Sequence, residues 1–131
     1  MRCLVNFARR QLGHEPLAAV RALYRAGDRK SIDILRCDSF SHEACGHEFT
    51  YWMKHFGYLR GDCWKAAENI AWGTGSLATP RSIFRAWMHS PGHRENILGP
   101  YVDTGIGLQI GELDGHAGAH VWTEEFGSRE C

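Results

Sequence analysis

The sequence lacks several features that would assign it to a familiar class at once. Lys and Arg together number 15, and Asp and Glu also number 15, so the formal net charge is zero. The basic excess that is typical of nucleic-acid-binding domains is absent, and we expect no nucleic-acid partner. No apolar run approaches the roughly 20 residues that a helix needs to cross a bilayer. We therefore expect no membrane span.

The first residues also lack the pattern of a secretory leader. In "MRCLVNFARRQLG" arginines interrupt the region where a leader has an uninterrupted apolar core. Internal repeats and low-complexity segments are absent as well. A chain of 131 residues suits one domain of typical size. Residues 1–131 are therefore interpreted as a single domain, which we expect to be monomeric.

The cysteines lack the C-x-x-C spacing of zinc knuckles and redox centres. There are five, and they are scattered along the chain, at Cys3, Cys37, Cys45, Cys63 and Cys131. Scattered cysteines are typical of disulfide partners in an oxidising compartment. This predicts a secreted, extracellular protein whose signal peptide is absent from this sequence. Buried, reduced thiols are the alternative.

Helical patterns come first along the chain and strand patterns come last. Apolar residues recur with helical period over 2–12, after Pro16 and before Gly57. Within the second of these helices, Gly27 marks either a close contact with another element or a break. The runs "ENIAWG", "GIGLQIG" and "AHVWTEEFG" are typical of strands, and the turn signal in "ELDGH" joins the last two. This order predicts an α+β fold with a mainly antiparallel sheet.

The segment "AWMHSPGHRENIL" contains two histidines four residues apart. On one helix His89 and His93 would share a face and could bind one metal ion. Pro91 lies between them, and a proline inside a helix removes a hydrogen bond and clashes with the preceding turn. We therefore expect one helix, capped by Thr79, to end near Ser90. A second helix should begin there, with His93 in its first turn.

Histidines and carboxylates supply the candidate functional groups. A single histidine is more often a surface residue or a satisfied core residue than a ligand. Glu68 differs, because a carboxylate next to the apolar run "NIAW" should be partly buried. A buried carboxylate needs a partner, and this makes Glu68 a candidate site residue.

Five segments together resemble the CAP superfamily of cysteine-rich secretory proteins, antigen 5 and pathogenesis-related 1 proteins. They are similar in particular to its compact bacterial, SCP-like members. The segments are "FSH" at 40–42, "ENIAWG" at 68–73, "AWMHSPGHRENIL" at 86–98, "GIG" at 105–107 and "VWTEEFG" at 121–127. The resemblance spans nearly the whole chain. It implies a three-layer α-β-α sandwich with a small central antiparallel sheet.

The resemblance also implies a groove lined by two histidines and acidic residues. Matched by motif, the histidines are His42 and His93, the first acid is Glu68, and Ser90 occupies the position of a further acid. The implied cofactor is Zn²⁺ or another divalent cation, since neutral imidazoles are good zinc ligands. Its metal ligands would be His42 and His93, and Glu68 is expected to orient one imidazole. His89 falls outside the pattern and is expected at the groove rim or at an exposed helix end.

Two functions fit this implied site. The first is a secreted binding module whose groove holds a divalent metal and a lipid, sterol or small anionic ligand, and whose surface contacts a protein partner. The second is a zinc-dependent hydrolase, a peptidase or esterase, with His42, His93 and Glu68 as catalytic residues and Glu68 as general base. Whether the protein is an enzyme stays open, because a third metal ligand and the further acid are missing.

The implied fold also sets the expected disulfides. It brings together the helix and loop ends that carry Cys45 and Cys63, and those that carry Cys3 and Cys37. We expect these two bonds, with Cys131 unpaired. A disulfide at Cys45 would also exclude its thiol as a nucleophile beside the nearby histidines.

Overall fold

The longest strands follow the helices along the chain. The computed structural model describes residues 1–130. Its helices are α1 (Arg2–Gln11), α2 (Arg21–Arg36), α3 (Tyr51–His55), α4 (Pro80–Met88) and α5 (Pro91–Ile97), with short 3-10 turns at Ala44–Gly46 and Gly75–Ala78. Its strands are β1 (Ala18–Ala19), β2 (Lys65–Gly73), β3 (Asp103–Leu113) and β4 (His116–Ser128). None of the helices within this range is long and apolar enough to span a membrane.

The strands form one sheet in the order β1-β3-β4-β2. The predicted hairpin between the last two strands is confirmed, and β2 also pairs antiparallel with β4. Only the two-residue strand β1 is parallel to its neighbour, β3. Strand β2 therefore forms one edge of the sheet, and its Glu68 lies opposite Glu125 of β4.

Helices cover both faces of this sheet, which confirms the predicted α+β fold with three layers. On one face α2 and α3 bury an apolar cluster that includes Leu23, Ala26 and Met53. On the other face α1, α4 and α5 pack on β4 through a second cluster: Val5, Ile83, Trp87, Ile97, Trp122 and Phe126. Alternate β4 side chains face opposite layers, as the strand period requires.

The packing of α2 on the sheet is unusually close. A Cβ atom built on Gly107 would clash with the backbone of Gly27 and Asp28, and one on Gly105 would clash with the backbone of Leu23 and Tyr24. A Cβ on Gly27 would lie 3.0 Å from the backbone nitrogen of Gly107. Of the two interpretations of Gly27, close contact with another element is therefore the correct one, and the helix continues through it.

Local signals placed the break between α4 and α5 correctly. The Thr79 hydroxyl accepts a hydrogen bond from the backbone N–H of Ser82, and Pro80 occupies the first turn of α4. Ser90 is the N-cap residue of α5, followed by Pro91. Its hydroxyl does not cap the backbone, however. It makes a hydrogen bond with the ring of His93 at 2.9 Å.

The predicted disulfides Cys3–Cys37 and Cys45–Cys63 are wrong. The structure joins Cys37 to Cys45, with 5.6 Å between their Cα atoms. The 3-10 turn at Ala44–Gly46 folds the chain back onto the end of α2, and this brings the two residues together. Cys3 is a free, exposed thiol, whereas Cys63 is not free. The prediction that Cys131 is unpaired lies outside the described residues.

Candidate functional site

His42 lies in a loop that is held at both ends. The Cys37–Cys45 disulfide closes the loop covalently. The ammonium group of Lys30, which is fully buried, donates hydrogen bonds to the backbone carbonyls of His42 and His47. A buried ammonium is costly unless its donors are satisfied, so these bonds stabilise the loop in one position. His42 is therefore presented by a rigid segment, although its own side chain is half exposed.

Glu68 makes a hydrogen bond with His42, which is the contact expected of a carboxylate that orients this imidazole. The Nδ1 atom of His42 lies 2.7 Å from Oε1 of Glu68. Glu68 is buried in β2 and faces the α2 layer. An ionised carboxylate can only accept, so Nδ1 then carries the proton and Nε2 is left as the basic nitrogen. The arrangement gives His42 the tautomer that a metal ligand needs.

His93 approaches the same strand from the opposite helical layer. It lies in the first turn of α5 and is half-buried, and its Nδ1 atom bonds to Ser90. Burial lowers the pKa of His93, and the charge of His42 lowers it further. A neutral imidazole is the form that binds metals.

Two asparagines that the sequence reasoning did not single out fix α5 on β2. The amide of Asn69 donates to the backbone carbonyl of His93 at 3.0 Å. The amide of Asn96 donates to Oδ1 of Asn69 at 2.9 Å and to the backbone carbonyl of Glu68 at 3.3 Å. Asn69 lies in the motif "ENIAWG" and Asn96 in "HRENIL". Their place in these motifs was the only sequence signal that could have indicated a role in the site. They set the distance between the two sides of the groove.

A further buried acid, Glu125, lies on the neighbouring strand β4, directly opposite Glu68. It is fully buried, and its carboxyl group lies against that of Glu68. Burial raises the pKa of Glu125 well above its usual value, and the charge of Glu68 raises it further. No sequence pattern indicated its proximity to Glu68, because the pairing depends on the register of β2 with β4.

The donor set fits zinc in chemistry but is short in number. Within residues 1–130, no group of three or more His, Cys, Asp or Glu side chains is arranged to hold a metal ion. The two predicted ligands, His42 and His93, are neutral nitrogen donors of the kind that zinc prefers. Glu68 has one oxygen engaged with His42, and its second oxygen is buried away from solvent. His42 and His93 are therefore the two described imidazoles that could each offer a nitrogen to a metal, and solvent or a ligand would have to supply the other donors.

Two open cavities lie along β2 on either side of these residues. One has a volume of about 410 Å³ and is lined by His42, Glu68, Asn96 and Tyr101 among others. The other has a volume of about 280 Å³ and is lined by His93 together with aromatic residues. The two cavities together are called the groove; His42 and Glu68 line one of them, and His93 lines the other.

His89 takes no part in this groove. It ends α4, is exposed, and its Nδ1 atom bonds to the backbone carbonyl of Arg85 at 2.7 Å. The prediction that it lies at an exposed helix end is confirmed. A different histidine, His47, makes the second imidazole–carboxylate contact, with Asp33 at 2.7 Å. Asp33 also accepts from the indole of Trp52, so this contact joins α2 to α3.

Known proteins share this architecture. An outer surface protein from Borrelia burgdorferi superposes with a TM-score of 0.77 at 16% identity, covering 98% of this chain and 90% of that one. An extracellular protein containing a SCP domain from Bacillus anthracis superposes with a TM-score of 0.72 at 22% identity, covering 93% of this chain and 37% of that one. At these identities the likeness concerns the fold.

One curated protein is similar in sequence. The uncharacterized protein YkwD of Bacillus subtilis (strain 168) is 34% identical over 127 residues. The aligned region covers 94% of this chain and 44% of YkwD, so the chain spans less than half the length of that relative. No family model matches the chain.

Proposed function

The chain has the SCP/CAP-like fold, and on this premise we propose that residues 1–131 act as a secreted binding module with a metal-dependent groove. One observation carries the proposal. His42 makes a hydrogen bond with Glu68 on the edge strand β2, and the backbone of His93, which lies in the other helical layer, is held to the next residue of that strand, Asn69. A groove built from three separate parts of the chain, with one imidazole already oriented by a carboxylate, is suited to ligand binding.

The proposed metal is zinc or another divalent cation, with His42 and His93 as its protein ligands. When bound, the metal would supply a Lewis-acidic centre for an oxygen- or nitrogen-bearing ligand. Glu68 would hold the ring of His42 in place, and Ser90 would hold that of His93. Because the proposed site has two protein ligands among residues 1–130, we expect weaker binding than at structural zinc sites, which have four.

The test is zinc-dependent stability. Metal-free protein should unfold at a higher temperature in the presence of Zn²⁺, since a ligand at about 100 times its dissociation constant stabilises the folded state by about 2.7 kcal/mol. His42→Ala or His93→Ala should each remove most of this shift, because one imidazole alone does not form the site. Differential scanning calorimetry with and without Zn²⁺ makes the measurement.

His89→Ala is the matched control, because His89 is exposed and lies four residues from His93 outside the groove. It should keep the full zinc effect. If His42→Ala and His93→Ala respond to zinc as the unchanged protein does, the proposed metal site is wrong. A zinc effect that depends on His89 would lead to the same conclusion.

We also propose that the protein is extracellular and that its groove takes a lipid, sterol or small anionic ligand. The Cys37–Cys45 disulfide supports an oxidising compartment. The two structural neighbours are described as an outer surface protein and an extracellular protein, which is consistent with that location. A protein partner on the surface and a monomeric state are part of the same proposal.

The alternative is a zinc-dependent hydrolase with Glu68 as general base. The observation that favours it is that Glu68 lines the same cavity as His42, where a carboxylate is the side chain suited to act as a general base. Glu68→Gln should then abolish turnover and retain zinc, because a Gln oxygen can still accept from His42. If the unchanged protein with zinc turns over no peptide, ester or glycan in a broad screen, the binding function is favoured.

A further inference from the structure

An apolar chamber adjoins His93 in the groove. It is an open cavity of about 280 Å³. Its walls come from the loop that carries His42, from β2 and from α4, and they are Phe40, Ile70, Trp72 and Trp87, with Ser90 and His93 at the polar end. The chamber thus lies between the two helical layers, directly beside one of the two imidazoles.

Phe40 is the exposed wall of this chamber. Trp87 and Ile70 are buried core residues, and Trp72 is partly buried, but 47% of the Phe40 surface is exposed. Single exposed apolar residues are common on protein surfaces. Phe40 differs from them because it lines one cavity with two tryptophans and belongs to the disulfide-closed loop, two residues before His42. The same covalent constraint therefore positions an apolar wall and an imidazole.

We propose that the ligand of the groove carries an aromatic or branched apolar group that occupies this chamber, with Phe40 as a specificity-determining residue. The inference rests on the proposed function, since it names the ligand class of the same groove. An engineered apolar cavity of about 150 Å³ binds benzene. The chamber is therefore large enough for one substituted ring, whereas the fused rings of a sterol need several times the volume of benzene.

The polar end of the chamber determines where the rest of the ligand lies. Ser90 and His93 line the chamber next to its apolar walls, and Glu68, Asn96 and Tyr101 line the second cavity together with His42. A ligand with one apolar group and one carboxylate, amide or similar polar group would place the apolar group in the chamber. The polar group would then reach the imidazoles. This chemistry describes a small aromatic acid or amide.

The test compares phenylacetate with acetate as probes, which share a carboxylate and differ in the ring. Each is titrated into the full chain, with and without Zn²⁺, and the indole N–H signals of Trp72 and Trp87 are followed by NMR. The Trp87 indole donates to the backbone carbonyl of Ile70 at 3.2 Å and so reports on the chamber wall. Phenylacetate should shift both signals and bind about tenfold more tightly than acetate, because ring contacts contribute on that order.

Phe40→Ala should reduce this affinity ratio towards one, and Phe40→Leu should retain part of it. Phe7→Ala is the control, because Phe7 is a phenylalanine on α1 that is 60% exposed and lines none of these cavities. It should keep the full ratio. Because the comparison of the two probes is also made on the unchanged protein, it does not depend on the folding of the variants.

Three results would contradict the proposal that the chamber binds an apolar group. They are equal affinity of the two probes, no binding of either probe, or a ratio of phenylacetate to acetate affinity that is unchanged in Phe40→Ala. Calorimetric titration with Zn²⁺ alone keeps this outcome separate from that of the proposed function. If zinc binds and the ring gives no advantage, the chamber is wrong and the metal site stands. If the ring is preferred at the chamber but zinc does not bind, the chamber stands and the metal site is wrong.

Discussion

At the scale of single residues, several charged side chains are buried. Arg9 lies four residues after Val5 and so on the same face of α1, and the structure buries both residues. The guanidinium donates to four backbone carbonyls, those of Glu15, Ile97, Gly99 and Tyr101. These acceptors come together only in the folded chain, so the helical period indicates the buried face but not the partners that satisfy the charge.

Glu124 leads to a prediction at this scale. Burial raises its pKa to about 8, although the Thr104 hydroxyl donates to it. Between the ordinary carboxyl pKa and 8, the folded protein keeps a proton that the unfolded chain releases. Stability should therefore fall by about 1.4 kcal/mol per pH unit across this range and level off above it. Glu124→Gln cannot ionise and should lack this component.

Urea unfolding of both proteins at a series of pH values from about 5 to about 9 would measure the effect. The difference in free energy of unfolding should change in favour of Glu124→Gln as the pH rises. The Gln side chain keeps an oxygen that can accept from Thr104, so the hydrogen bond is preserved. Parallel curves for the two proteins would show that Glu124 does not carry a raised pKa.

At the scale of elements, the glycines of the "GIG" motif have a structural explanation. Gly105 and Gly107 of β3 lie under α2, where the backbone of the helix leaves no space for a side chain. This contact fixes the distance from α2 to the sheet. The loop with His42 follows α2 and is held by Lys30 of that helix. The glycines therefore also influence how far this loop lies from the sheet.

Gly107→Ala should therefore be strongly destabilising. Overpacking of a core typically costs about 1–3 kcal/mol, and a clash with backbone atoms, which cannot move aside, belongs at or above the upper end. Gly92→Ala is the matched control, because Gly92 lies in α5 with open space around it. Ala is favoured over Gly in a helix, so that variant should be unchanged or more stable by up to about 1 kcal/mol. Thermal unfolding of the two variants compares them directly, and a Gly107→Ala protein as stable as Gly92→Ala would contradict the close contact.

Elements with strong local signals were predictable and those set by distant contacts were not. Thr79, Pro80 and Pro91 fixed the ends of α4 and α5 through capping and proline geometry. The start of α2 was placed too early, after Pro16, because Ala18 and Ala19 add to the sheet beside β3. A two-residue segment is too short to show a strand pattern, so its sequence does not indicate that it pairs with β3.

At the scale of the whole molecule, the groove exists only because the sheet edge joins two helical layers. The motif resemblance identified His42, Glu68 and His93, and the structure brings His42 into contact with Glu68 and places His93 across the groove. The roles of Asn96 and Glu125 could not be predicted, because they depend on the packing of α5 and on strand register. The metal itself stays a prediction.

The disulfide shows the same limit. Several pairings of scattered cysteines are compatible with one sequence, and only the return of the chain at Ala44–Gly46 selects Cys37 for Cys45. The consequence is functional as well as structural. The selected bond closes the loop that carries both Phe40 and His42, so it constrains the two parts of the groove on which the proposals depend.

The most direct test is a crystal of the chain grown with Zn²⁺ and measured on both sides of the zinc absorption edge. We predict one anomalous peak in the groove, at about 2.0–2.1 Å from a ring nitrogen of His42 and of His93. The hydrogen bond between His42 and Glu68 should remain. An ordered groove without such a peak, or a peak bound by only one of the two imidazoles, would contradict the account.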